Sequence, residues 1–200
     1  MTGNESLKIG GLLLAAGGSS RLGRPKQLLQ FHGKTLLRRA AETLADSVCD
    51  PIIIVLGAEI DGSKSEIADL RLHVVVNDDW QAGMSSSIKA GLKGLLNIEP
   101  NLAAVVITLC DQPYVIANQI GLFTTEFHNT RADIIAAKYG ETTGVPALFS
   151  HEMFDKLLCL EGDKGARELI RNTNSLVTIK LGEGAFDIDT LRDLDVKAPC

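Results

Sequence analysis

The chain has 200 residues, of which 45% are hydrophobic, 22% charged and only 4% aromatic, and its formal net charge is -5. Such a chain can bury one aliphatic core, so residues 1–200 are expected to form a single domain. The acidic balance argues against nucleic acid or an anionic membrane surface as the main partner, and any cluster of cations must serve a small anion locally.

The first ten residues, MTGNESLKIG, are polar, and no apolar run reaches membrane-spanning length, which makes a cytoplasmic protein the expectation. Cys49, Cys110, Cys159 and Cys200 are widely spaced, without a CxxC pair or zinc spacing, and read as reduced thiols.

Residues 12–26, LLLAAGGSSRLGRPK, are the most informative stretch. Leu12, Leu13 and Leu14 suit a strand covered on both faces. Ala15, Ala16, Gly17 and Gly18 then let another molecule approach bare backbone, and Ser19, Arg21 and Lys26 add polar and cationic groups. Successive amides beside Arg and Lys predict a polyphosphate site. A Walker A loop is excluded because no Lys-Ser or Lys-Thr follows the glycines, and a dinucleotide fingerprint because the Gly-x-Gly-x-x-Gly spacing is absent.

Beyond the loop, Thr35 is expected to cap a helix running through LLRRAAETLADS. Strands are predicted at Ile52 to Leu56 and Leu72 to Val76, both mainly apolar, with a short helix between them. The alternation of strand and helix predicts an α/β fold: three layers, Rossmann-like, with a mainly parallel sheet covered by helices on both faces.

Ligands of such sheets bind beyond the strands' carboxyl ends. After the third strand, NDDWQAGMSSS runs from Asn77 through Gly83 and Met84 to Ser85, Ser86 and Ser87, which either present hydroxyls and amides to an anion or simply cap a helix. Asp111 ends the fourth apolar run, where one carboxylate plus substrate phosphates would hold a hard divalent cation; the alternative is a cap for the helix near Ile116. A fifth strand, ADIIAAKY, leads through a glycine-threonine turn into GVPALF. In GDKGAR, Lys164 and Arg167 open a short helix and either receive a phosphate or lie solvated. Asp187 and Asp189 alternate with apolar neighbours, which turns both carboxylates to one side, as a cation requires, unless Asp189 or Thr190 caps the last helix.

LAAGGSSRLGRPK resembles the signature of the MobA-like nucleotidyltransferases, which include the molybdopterin guanylyl- and cytidylyltransferases. The resemblance implies that Leu14 to Ser19 hold a nucleoside triphosphate with the small residues near its base, and that Arg21 and Lys26 contact its phosphates. It places Asn77 and Ser86 beside the nucleotide, and Gly83, Met84, Ser85, Gly144, Pro146, Lys164 and Arg167 on the acceptor side. It makes Asp111, in a D-x-P context, a metal ligand, joined by Asp189 in a DIDT run whose following residues, Leu191 and Arg192, depart from the family pattern. Ala16, where guanylyl-transferring relatives carry Gly, points to the cytidylyl branch.

The reaction so implied is Mg²⁺-dependent transfer of CMP from CTP to the phosphate of molybdopterin, with pyrophosphate released and a molybdenum hydroxylase as recipient of the product. Arg21, Lys26 and Asp111 are the expected catalytic residues. GTP as donor, a sugar or polyol phosphate as acceptor, or a non-catalytic molybdenum cofactor carrier are the alternatives. His32, His73, His128 and His151 have no motif partner.

Overall fold

The computed structural model describes residues 7–18, 25–163, 165–181 and 188. Strand β1 (Ile9–Ala15) runs through the middle of a seven-stranded sheet and is buried along its whole length. A 3₁₀ turn at Lys26–Leu28 follows, then a two-stranded hairpin of β2 (Gln30–Phe31) and β3 (Lys34–Thr35). His32 and Gly33 both have positive φ in its turn. Thr35 caps helix α1 (Leu36–Ala45), its hydroxyl accepting from the Arg38 amide at 3.1 Å, as the sequence leads one to expect.

The chain continues through β4 (Ile52–Leu56), α2 (Ile60–Glu66), β5 (His73–Val76), α3 (Met84–Ile98), β6 (Ala104–Leu109) and α4 (Ala117–Thr130). It ends its described course with β7 (Ile134–Tyr139), β8 (Thr142–Ser150), α5 (Phe154–Leu158), α6 (Arg167–Asn172) and β9 (Leu176–Lys180). The order across the sheet is β5-β4-β1-β6-β8-β7-β9. All pairings are parallel except those of β8, which runs antiparallel to both β6 and β7.

The sheet separates two apolar layers. Alternate β1 residues divide between them: Leu13 packs with α1 and α4, through Leu37, Leu44 and Phe123, while Leu12 and Leu14 pack with α3 and α5, through Ile88, Leu92 and Leu157. This is the three-layer α/β architecture with helices on both faces. Two glycines bring α3 against the sheet: a Cβ on Gly91 would lie 2.2 Å from a Leu12 methyl, and one on Gly94 2.7 Å from Ile53 Cδ1.

One expectation needs correction. The third strand is not covered on both faces: β5 is the sheet edge, with His73 exposed and Val74 to Val76 only half-buried. The turn expected before GVPALF falls at Gly140 and Glu141, and GVPALF lies within β8. Its register with β7 jumps from Ala136↔Ala147 to Ala137↔Gly144, so Val145 and Pro146 form a bulge. Proline has no amide to give a ladder, which accounts for the interruption. Among the described residues, no helix is long and apolar enough to cross a membrane.

Candidate functional site

The carboxyl ends of β1 and β6 open into a cleft of about 830 Å³. Its floor is Leu14 to Gly18 on one strand end and Leu109 to Asp111 on the other, tied by the Cys110 amide donating to the Leu14 carbonyl at 3.4 Å. Gly17 and Gly18 are exposed, leaving bare backbone at the cleft.

Lys26 and Asp111 meet across this floor. The Lys26 ammonium donates to Asp111 Oδ2 at 2.7 Å, with both side chains mostly buried. The other carboxylate oxygen, Oδ1, is buried and accepts no hydrogen bond among the described residues. A buried carboxylate oxygen with no donor is costly unless something electropositive takes it up, and a hard cation shared with substrate phosphates fits this donor. No group of three or more His, Cys, Asp or Glu side chains gathers among the described residues, and a hard cation held by one or two carboxylates completes its shell with substrate oxygens and water. The helix-cap alternative for Asp111 fails, because Gln119 Oε1 accepts the Ile116 amide at the start of α4.

Cys110, beside Asp111, is no nucleophile. Burial, and then the Asp111 carboxylate, push its thiol up to about 12, which keeps it neutral.

Trp80, Gly83 and Met84 also line the cleft. Asn77 and Ser86 hold their loop together. Asn77 Nδ2 donates to Ser86 Oγ at 2.8 Å and Ser87 Oγ at 3.0 Å, its Oδ1 accepts from the Asp79 amide, and Ser86 Oγ donates to the backbone carbonyls of Asp79 and Gly83. Both side chains are therefore engaged within the loop, and Ser87 is the serine that reaches the cleft. Ser85 is buried, with its hydroxyl unpartnered among the described residues.

The fold joins two segments that the sequence presents as separate. Gly83, at φ +103, lies so close to Gly162 that a Cβ would come within 2.7 Å of its carbonyl. The Ser85 amide donates to the Gly162 carbonyl at 3.2 Å, and the Met84 amide to Asp163 Oδ1 at 3.3 Å. A carboxylate thus sits at the amino end of α3, where the helix dipole favours it. Arg167 is exposed on the first turn of α6.

Because β8 runs against β6, its first residues return to the cleft end of the sheet. The carbonyl freed at the bulge, that of Val145, accepts from Gln112 Nε2 and from the Tyr139 hydroxyl, both at 3.0 Å. Gly144 and Pro146 are brought beside the turn carrying Asp111 but do not line the cleft itself.

Ile188 is fully buried against Leu29, Phe31 and Leu36, and its amide donates to the Asp111 carbonyl at 3.0 Å. Ser19, Arg21, Lys164 and Asp189 lie outside the described residues. Sequence patterning gives no sign of Gln27, which is buried, lines the cleft and donates to the Ala58 carbonyl at 3.1 Å, fastening the Lys26 segment to the end of β4. Its one signal is position, directly after Lys26.

The MobA-like NTP transferase domain model matches residues 11–177. The chain belongs to that nucleotidyltransferase family. It is 31% identical to nicotine blue oxidoreductase of Paenarthrobacter nicotinovorans, over 92% of this chain and 93% of that one. It is 26% identical to a probable molybdenum cofactor guanylyltransferase of a Geobacillus strain, over 82% and 83% of the two chains. Among solved structures, Rv0371c of Mycobacterium tuberculosis superposes with a TM-score of 0.83 at 28% identity, covering 94% of this chain and 95% of that one. A second structure of Rv0371c is a complex with manganese.

Proposed function

We propose that the chain transfers CMP from CTP to the phosphate of molybdopterin, releasing pyrophosphate, with Mg²⁺ as the metal. The observation that carries this reading is the pairing, at the mouth of a glycine loop, of Lys26 with an Asp111 carboxylate whose second oxygen is buried and uncommitted. A bound divalent cation would neutralise charge on the phosphates and polarise the phosphorus under attack.

The protein's own groups do the rest. The amides of Gly17 and Gly18 and the Lys26 ammonium hold the triphosphate, with Arg21 and Ser19 expected to join them. An acceptor phosphate oxygen attacks the α-phosphorus as the bond to the β-phosphate oxygen breaks, and pyrophosphate leaves. Ionised phosphate is already a nucleophile, so no side chain need remove a proton, and catalysis reduces to positioning and charge. The joint of Gly83, Met84 and Ser85 with Gly162 and Asp163 forms the acceptor side, completed by Lys164 and Arg167. Asp189, one residue beyond Ile188, is the second metal ligand in this reading. CTP is preferred on the strength of Ala16, a molybdenum hydroxylase is the recipient of the product, and the polar N-terminus puts the reaction in the cytoplasm in this reading.

The test is pyrophosphate release with Mg²⁺ and molybdopterin, offering CTP, GTP, ATP and UTP separately. Release chiefly with CTP supports the proposal, and release chiefly with GTP keeps the chemistry but overturns the inference from Ala16. The likeness to nicotine blue oxidoreductase favours a second reading, an oxidoreductase using the same cleft. It predicts a redox change in the substrate and no pyrophosphate from any nucleotide.

A further inference from the structure

Trp80 is the one tryptophan in the sequence, and it is seated across the carboxyl ends of β4 and β1. A Cβ on Gly57 would stand 2.7 Å from Trp80 Cβ and Cγ, and a Cβ on Gly18 would stand 2.6 Å from Cη2, at the far corner of the ring. An indole is rigid, so a side chain at either position would evict it. The Ala16 carbonyl oxygen lies 2.7 Å from the same point above Gly57, which bars any retreat on that side. Two glycines just beyond the ends of neighbouring strands therefore fix one aromatic ring at the cleft.

The ring is held but not used up. Trp80 is half-buried and lines the cleft. Among the described residues no aromatic ring contacts it and no group accepts its N–H. Ala16 differs: it is 5% exposed, and its methyl packs into the apolar layer beneath α3. Trp80 also lies on the β4 side of β1, whereas Lys26 and Asp111 meet on the β6 side. A ligand whose phosphates reach Lys26 and whose body crosses β1 arrives at the indole.

We propose that Trp80 is a specificity-determining residue of this cleft, stacking on the planar heteroaromatic ring of a substrate and setting the position of that ring relative to Lys26 and Asp111. This rests on the nucleotidyl-transfer reading, in which both substrates carry such a ring, the donor its base and the acceptor its pterin. A base stacked on an aromatic side chain gains roughly tenfold or more in affinity over one facing alanine.

Calorimetric titration of the wild type, Trp80→Phe and Trp80→Ala decides the matter, using CTP, GTP and tripolyphosphate, each with Mg²⁺, and a phosphorylated pterin. Thermal melts confirm that each variant is folded. Trp80→Ala is expected to weaken a ring-bearing ligand roughly tenfold or more, Trp80→Phe to restore most of that loss, and tripolyphosphate binding to stay unchanged. Loss confined to nucleotides assigns the ring to the donor, and loss confined to the pterin assigns it to the acceptor. Quenching of the single tryptophan's fluorescence by the same ligand in the wild type is the second expected result. If Trp80→Ala binds every ring-bearing ligand like the wild type, or loses tripolyphosphate equally, the role of Trp80 is overturned while nucleotide binding by the wild type keeps the transfer reading alive. A wild type that binds neither nucleotide nor tripolyphosphate overturns both.

Discussion

Lys26 and Asp111, 85 residues apart in sequence, form an ion pair of 2.7 Å on the floor of the cleft, with side chains only 14% and 20% exposed. Each charge is what makes the other tolerable out of water. The pair also presents both groups that the proposed chemistry needs, a cation for phosphate and a carboxylate for a metal.

Lys26→Ala strands a mostly buried carboxylate and should cost about 1–3 kcal/mol of stability. Asp111→Ala should cost a similar amount, and the double variant should cost clearly less than the sum. Urea unfolding of the four proteins measures this, and additive losses would show that the pair is not coupled. Pyrophosphate release should fall by at least about a hundredfold in each single variant, because each removes fixed charge from the transition state.

Gly91→Ala tests the seating of α3. Helix propensity alone predicts a gain of about 1 kcal/mol. The added methyl would lie 2.2 Å from Leu12 Cδ1 and 2.8 Å from Val55 Cγ2, side chains fully buried in the sheet. Overpacking should win, with a net loss of about 1–3 kcal/mol in chemical denaturation. A stabilised variant would mean that α3 can lift off the sheet without cost.

Glu42 should shape the acid limb of stability. Its carboxyl is held below the usual glutamate range, first by the Lys34 ammonium at 2.6 Å and then by Arg38 at 2.8 Å. A carboxyl with a lower pKa folded than unfolded contributes stability above its unfolded pKa and loses that contribution as pH falls through its folded pKa. Melting curves of the wild type and Glu42→Gln should therefore differ at neutral pH and converge below the ordinary glutamate range. A gap that stays constant into acid would exclude Glu42 as a titrating contributor.

Thiol labelling should separate the cysteines. Cys159 is exposed, whereas Cys49 and Cys110 are buried, with thiols pushed by that burial up to about 11 and about 12. Mapping a mild alkylating reagent at pH 8 by mass spectrometry should find Cys159 modified and the other two protected until the protein unfolds. Rapid modification of Cys110 in the folded protein would contradict its burial just beyond the end of β6.

The interior strands were legible because the leucines of β1 and the run of Ile, Val and Leu in β4 are apolar and buried on both sides, and Thr35 announces α1 by its hydroxyl. The edge position of β5 was not, since Val74 to Val76 reads like an interior strand and nothing local distinguishes an edge. The reversal of β8 leaves no mark in the sequence either. Gly144 and Pro146 look like punctuation, and only the ladder on either side reveals a bulge. Within the cleft, Lys26 and Asp111 could be singled out by their positions after apolar runs. The joint of Gly83 with Gly162 could not, because backbone packed on backbone leaves no pattern in side-chain chemistry.

The Val145 carbonyl has a mechanical consequence. One atom is gripped by Gln112, the residue after Asp111, and by Tyr139, at the tip of the β7-β8 hairpin. The Asp111 turn and the hairpin are therefore latched to a common pivot. Displacing the hairpin tip would therefore pull on the Asp111 turn through that shared carbonyl, which ties the outer half of the sheet to the floor of the cleft.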